Sequence, residues 1–247
     1  MDKFKVEIIN KEEAKELFKH WGITSCICYA TPEKFAEKVG KSCLETSHFS
    51  GSRGRYIEFK IEEAPRAALD EMFRHEQGVF KNMESGRYVD FSDFNYYTSP
   101  LINSKPHIKK IYDDHMELTK KTYKEIVRLL KEDGITGERA YQEARGIAPM
   151  NYSTKCVIGF TVEALINLCN KRLCVCSQDH IRKLVKIMRD LVVDIIPELD
   201  EYLVAACDYN LYCGESKKRS CGRHLHKSEV KLILEEYKRN KKEINII

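Results

Sequence analysis

No stretch of this 247-residue chain approaches the roughly 18 consecutive apolar residues that cross a bilayer as a helix. Met1 to Asn10, MDKFKVEIIN, also lacks the apolar run and small-residue cleavage site of a secretory signal. The chain is therefore read as soluble, with a cytoplasmic location and no membrane partner. Nor is one sign of charge in excess, since 42 basic and 38 acidic residues leave a formal charge of +4. That balance argues against a nucleic-acid polymer as partner, and any anionic ligand has to be held by individually placed cations. No internal repeat and no low-complexity linker interrupts the sequence. The expected organisation is one mixed α+β domain over 1–206 and an extension over 207–247.

What is present supports a real core: 43% of the residues are hydrophobic, ample for a chain of this length. Ten cysteines without a signal segment read as reduced thiols, mostly buried. Lys11 to Trp21 reads as a charged helix with Ala14, Leu17 and Phe18 on one side and Gly22 as its stop. Ser25 to Ala30 alternates like a short buried strand through Ile27 and Tyr29, and Thr31-Pro32 then opens a helix to about Val39. Tyr56 to Glu62 alternates as a strand. Ser104-Lys105-Pro106 opens a long helix that Gly134 closes near Asp133. Glu138 to Arg145 reads as helix, Met150 to Phe160 as strand-like and Val162 to Leu173 as helix. Gln178 to about Val204 keeps the rhythm of one buried stripe, with Pro197 as a kink.

The densest chemistry lies in Phe73 to Tyr88, FRHEQGVFKNMESGRY, read as a helix end, a loop and then a short strand at Tyr88 to Phe91. Arg74, Arg87 and, further on, Arg145 are forked, permanently charged donors suited to a phosphate, and the Ser85 and Gly86 backbone N–H groups can complete such a cradle. Ser85 is not read as a nucleophile, because no histidine–acid pair stands at a spacing that would activate it. Thr46 to Arg55, TSHFSGSRGR, is a second loop whose glycines and arginines suit an anion, and an ordinary solvated loop fits the same residues.

Arg74-His75, Asn82 and Ser85-Gly86-Arg87-Tyr88 resemble the signature of the flavin-dependent thymidylate synthases, an Arg-His-Arg followed by a Ser-x-Arg-Tyr ending. The likeness extends in order to His48-Phe49-Ser50, to Glu143-Ala144-Arg145 with Pro149, and to the Asn167, Arg172 and Gln178 helix, covering about Cys26 to Ile196. It implies a central antiparallel-rich sheet flanked by long helices and a homotetramer with shared active sites. It also implies synthesis of dTMP from dUMP with FAD as cofactor and NADPH and methylenetetrahydrofolate as co-substrates, without a covalent enzyme nucleophile. Carried onto this chain, the resemblance assigns Arg172 to catalysis. His48, Ser50, Arg74, His75, Glu76, Asn82, Thr161, Glu163 and Asn167 fall to the cofactor. Glu71, Arg74, Glu84, Ser85, Gly86, Arg87, Arg145 and Arg172 fall to the substrate.

The chain departs from that pattern in four places. Glu76 stands where the family has its second signature arginine, with Lys81 or Arg53 as candidate substitutes, and one extra residue separates His75 from Asn82. Met83 replaces the acid that usually follows Asn82, with Glu84 one place later. Gly51 to Arg55 replaces a Glu-His pair in the flavin loop, and Thr161 and Glu163 occupy two donor positions. Should these changes abolish turnover, the chain is a flavin- and nucleotide-binding homologue instead. In the extension, Cys207, Cys213, Cys221, His224 and His226 are not at zinc-finger spacing; free thiols are the first reading and no metal is assigned. Ser228 to Lys241 reads as a basic amphipathic helix that packs on the body or on a neighbour.

Overall fold

Ile57, Phe59 and Ile61 are buried while Glu58, Lys60 and Glu62 between them are only half-buried. This two-residue period makes the segment a strand with one face on the core. The computed structural model describes residues 4–244; the outermost residues of both expected units, 1–3 and 245–247, lie outside the described residues. In chain order the elements are β1 (Lys5–Ile8), α1 (Lys11–Lys15), α2 (Leu17–Tyr29), α3 (Ala36–Glu45), β2 (Ile57–Pro65) and α4 (Arg66–Phe73). They continue with β3 (Val79–Met83), α5 (Pro100–Asn103), α6 (Pro106–Glu132), α7 (Glu138–Ala144) and β4 (Ser153–Phe160). The last four are α8 (Val162–Arg172), α9 (Asp179–Val193), α10 (Ala206–Asn210) and α11 (Lys227–Ile244).

The strands form a four-stranded antiparallel sheet in the order β1-β2-β4-β3, so β3 is an edge. Its residues run from Val79 opposite Phe160 to Met83 opposite Cys156. The main core joins β2 and β4 to α2, α4, α8 and α9 through Trp21, Phe59, Leu69, Met72, Ile158, Leu165 and Leu184 among others. Fully burying each large aliphatic side chain contributes about 1.5–3 kcal/mol. A second, smaller core of Phe91, Phe94, Met116, Tyr123, Ala144 and Tyr152 ties α6 and α7 to the loop after β3. Among the described residues no helix is long and apolar enough to cross a membrane.

Four sequence expectations are corrected. Gly22 does not stop a helix; it lies inside α2, where a Cβ would sit 1.6 Å from the Ala36 carbonyl oxygen. Gly40 of α3 is its counterpart, with a Cβ 2.0 Å from the Phe18 carbonyl oxygen, so the two glycines let α2 and α3 touch backbone to backbone. Ser25 to Ala30 is the end of α2 and not a strand: Ile27 and Tyr29 are 80% and 55% exposed, while Ser25 and Cys26 are buried. The alternation there marks a solvent-facing helical edge. Tyr88 to Phe91 is a turn and the strand lies earlier, as β3, because Phe91 is drawn into the second core. Finally, α9 ends at Val193, and a short 3-10 turn at Pro197–Leu199 replaces the expected continuation to Val204; proline removes the donor that a continuing helix needs.

Candidate active site

Three groups of side chains gather the sequence-derived candidates. The first lies where α4, α8 and α9 meet. The α4 helix starts against the loop before β4, with the Arg66 and Ala67 N–H groups donating to the Tyr152 and Met150 carbonyls, both at 2.9 Å. Ala68, Leu69 and Met72 then take the core side, leaving Glu71 to face the end of α8. There the Arg172 guanidinium donates from Nη1 to Glu71 Oε2 at 2.7 Å, from Nη2 to the Glu71 carbonyl at 2.9 Å and from Nε to His75 Nε2 at 3.3 Å. Accepting at Nε2 means that the His75 imidazole is neutral there. Burial, with the positive Arg172 and Lys171 beside it, holds its pKa down at about 4.

His180 of α9 completes this group. Its Nε2 lies 3.3 Å from Glu71 Oε1 yet is buried without a hydrogen-bond partner, because the approach is off the required geometry. Its ring stands edge-on to Tyr97, whose hydroxyl donates to Asp179 at 2.8 Å. Burial lowers the His180 pKa although Glu71 pulls the other way, so this imidazole too is held neutral. The sequence reading missed His180, whereas Tyr97 belongs to the aromatic-rich stretch Phe94 to Pro100, which reads equally as a strand, as a wall for a planar ligand or as core packing. His180 stands four residues before Leu184 and so extends the buried stripe of α9 backwards, a signal that was there to find.

The second group sits past the end of β3. Glu84 is fixed by its N–H to the Lys155 carbonyl at 3.0 Å, by Thr154 Oγ1 at 3.3 Å and by Lys155 Nζ at 3.1 Å. A turn follows in which the Tyr88 N–H donates to the Ser85 carbonyl and the Arg87 N–H to Ser85 Oγ. Gly86 is required here: a Cβ would lie 2.6 Å from the Phe91 ring and 3.3 Å from Arg145 Cδ. Arg87 pairs with Glu138, the first residue of α7, and its guanidinium stands over Tyr88 at 5.5 Å. Ser85, Gly86, Arg87 and Arg145 are thus brought together around one turn.

The third group surrounds the start of α8. His48 Nδ1 and the Tyr29 hydroxyl share a hydrogen bond of 3.1 Å, while Trp21 Nε1 donates to the His48 carbonyl at 3.2 Å. Arg53 reaches Glu163 at 3.1 Å, and Thr161 caps α8 by accepting from the Ala164 N–H. The loop carrying Glu76 closes onto this point through Gly78, at φ +69°, whose carbonyl accepts from the Thr161 N–H at 2.9 Å. Ser50, Glu76, Asn82, Asn167 and Arg74 are exposed, and their side chains pair with no other described residue. The two candidate substitutes for the missing arginine are both engaged, Arg53 with Glu163 and Lys81 with the Phe73 carbonyl at 2.6 Å.

The groups are spread along the elements that carry them. Glu163 and Arg172 stand nine positions apart in α8, about 13 Å of helical rise. The cradle at Ser85 lies at the opposite end of β3 from Gly78, about 20 Å along an extended chain.

Residues 10–198 match the family described as thymidylate synthase complementing protein. The chain is 33% identical over 183 residues to the flavin-dependent thymidylate synthase of Nitratidesulfovibrio vulgaris (strain Hildenborough), covering 74% of each. It is 26% identical over 207 residues to the flavin-dependent thymidylate synthase of Clostridium tetani, covering 79% of this chain and 82% of that one.

Proposed function

The chain belongs to the flavin-dependent thymidylate synthase family, and we propose on that premise that it converts dUMP to dTMP by reductive methylation, with FAD as cofactor and methylenetetrahydrofolate and NADPH as co-substrates. The observation that carries this reading is Arg172. A guanidinium has five N–H donors, and three of them are spent on Glu71 and His75, which fixes its plane and leaves two for a ligand. One donor left on each terminal nitrogen of a fixed cation can serve the polar groups of a pyrimidine. Held there, the positive charge favours the N3-deprotonated ring and enriches C5 with electrons, so that C5 becomes the nucleophile. Neutral His75 and His180 keep that charge from being reinforced or contested by a second cation.

The Ser85-Gly86-Arg87 turn with Arg145 binds the 5′-phosphate in this reading, with the ligand displacing Glu138 from Arg87. The unpaired amides of Asn82 and Asn167, the guanidinium of Arg74 and the hydroxyl of Ser50 form a donor set suited to the diphosphate and ring edges of FAD, with His48, His75, Thr161 and Glu163 lining it. When bound, the flavin relays the methylene group and supplies the hydride that completes the methyl. No thiol is required to attack C6. Cys156 and Cys169 are pushed up to about 12 by burial, which keeps them protonated and poor nucleophiles.

A single chain keeps its three groups apart, and a site that joins them is supported by assembly of several copies, read here as a homotetramer. An unpartnered apolar line on α6 offers a contact: Ile111, Leu118 and Leu129 are exposed and spaced seven and eleven residues apart, which returns to one side of a helix. The test is dTMP formation by the purified, flavin-loaded protein under air-free conditions, omitting one component at a time. Product that needs dUMP, methylenetetrahydrofolate and NADPH together is expected. Product formed without the flavin, or none with all components present, overturns the assignment.

A further inference from the structure

Five of the ten cysteines surround one cavity of about 260 Å³, at the end of α8 beyond Arg172. Cys174 and Cys176 come from the loop between α8 and α9; Cys207, Cys213 and Cys221 come from the extension. Within it the Cys174 and Cys176 sulfurs and a Glu215 carboxylate oxygen all lie within 4.8 Å of one another, each half-buried. We propose that these three residues bind a zinc-class divalent ion that clips the extension to the body, with a fourth ligand from a thiol lining the same cavity.

Tetrahedral zinc with sulfur ligands at about 2.3 Å places its donor atoms somewhat under 4 Å apart, so the observed spacing closes onto an ion by small side-chain rotations. Carboxylate and thiolate together are acceptable zinc donors. Beside the cavity, several polar groups are committed to scaffolding. His226 bonds through Nε2 to the Glu215 carbonyl at 2.8 Å and through Nδ1 to Ser228 Oγ at 2.7 Å, so it is not a ligand but holds the Glu215 backbone in place. Cys213 is buried and tied by backbone bonds to Leu225 and Lys227, which makes its wall of the cavity rigid. A second group, Cys207, Asp208 and His224, has comparable spacing. It is a poorer cation site because Arg223 donates to Asp208 at 2.6 Å and to Cys207 Sγ at 3.3 Å, supplying the positive charge that a metal would bring. Glu215 is more loosely held: Arg219 Nε stands 3.7 Å from its carboxylate, and the Arg219 side chain is largely exposed.

Binding has a proton balance. Cys174, Cys176 and the third thiol give up their three thiol protons to solvent, and the Cys176 Sγ to Arg219 carbonyl bond of 3.1 Å is exchanged for a sulfur–metal bond. Glu215 lies beyond residues 10–198, so the clip joins the family-matching part of the chain to its extension.

The test is metal analysis of the full-length protein produced with zinc in the medium and dialysed free of loose ions. About one zinc per chain is expected, lost from C174S/C176S and from E215A but kept in C28S and D208N. Zinc release to a chelating dye should coincide with three newly titratable thiols. Because a clip mutant could misfold, flavin content and circular dichroism are recorded beside the metal content. Less than about a tenth of an equivalent in the wild type overturns the proposal. So do zinc retained by C174S/C176S, zinc lost from D208N alone, a Cys174–Cys176 disulfide in its place, or iron with inorganic sulfide.

Discussion

Arg172 is held at all three of its attachment points by groups that are themselves fixed, two on Glu71 and one on His75. Replacing it with alanine is expected to lower turnover about 10²- to 10³-fold, the cost of removing one preorganised charge at a reacting centre, while flavin content is kept. Steady-state dTMP formation checks this, and unchanged activity would remove Arg172 from the site. His75 makes a separate, pH-dependent prediction. Its folded pKa of about 4 lies below the ordinary 6.5, so between those values the unfolded chain takes up a proton that the folded chain refuses. Stability therefore falls as pH drops through that window, and His75→Gln should flatten the fall. Urea midpoints measured across pH 4 to 7 test it; parallel curves for the two proteins would contradict it. At this scale the sequence was informative about charged residues with a demanding geometry, such as Arg172 and the Gly86 turn. It was silent about His180, whose approach to Glu71 depends on where separate helices pack.

The α2 and α3 crossing shows why local propensity misleads at the scale of elements. A glycine inside a helix costs about 1 kcal/mol against alanine, and Gly22 reads as a stop on that ground. In the fold, its hydrogen is what lets the Ala36 carbonyl approach, and a methyl would collide with backbone that cannot rotate away. Gly22→Ala should therefore destabilise the protein, by about 1–3 kcal/mol or more, despite the better helix former. Chemical denaturation measures this, and a gain in stability would show that the helices separate freely. Ser25 to Ala30 was misread for a related reason: alternation of Ile27 and Tyr29 was taken as burial, and both face outwards. By contrast α6 was legible from end to end, because Pro106 starts it and Gly134, at φ +80°, follows it, and both signals are local. The four-stranded order was not legible at all, since pairing of β2 with β4 joins segments almost a hundred residues apart.

As a whole molecule, one chain carries the Arg172, Ser85-Gly86-Arg87 and His48 groups on separate elements. In the proposed function, copies of the chain lend each other these parts. Leu118→Glu, in the exposed line of α6, should reduce the assembly from a tetramer and reduce activity with it. Light scattering at matched concentration reads the mass, and a tetramer that survives the charge would place the contact elsewhere. Glu76 and the Gly51 to Arg55 loop are where this chain departs from the signature it resembles, so the central claim of turnover rests on chemistry at C5 of dUMP. The direct measurement is release of tritium from C5-labelled dUMP by the FAD-loaded wild type. Release that requires both methylenetetrahydrofolate and NADPH, and that collapses in Arg172→Ala, is the expected result. Full flavin loading with no release under those conditions would contradict the account.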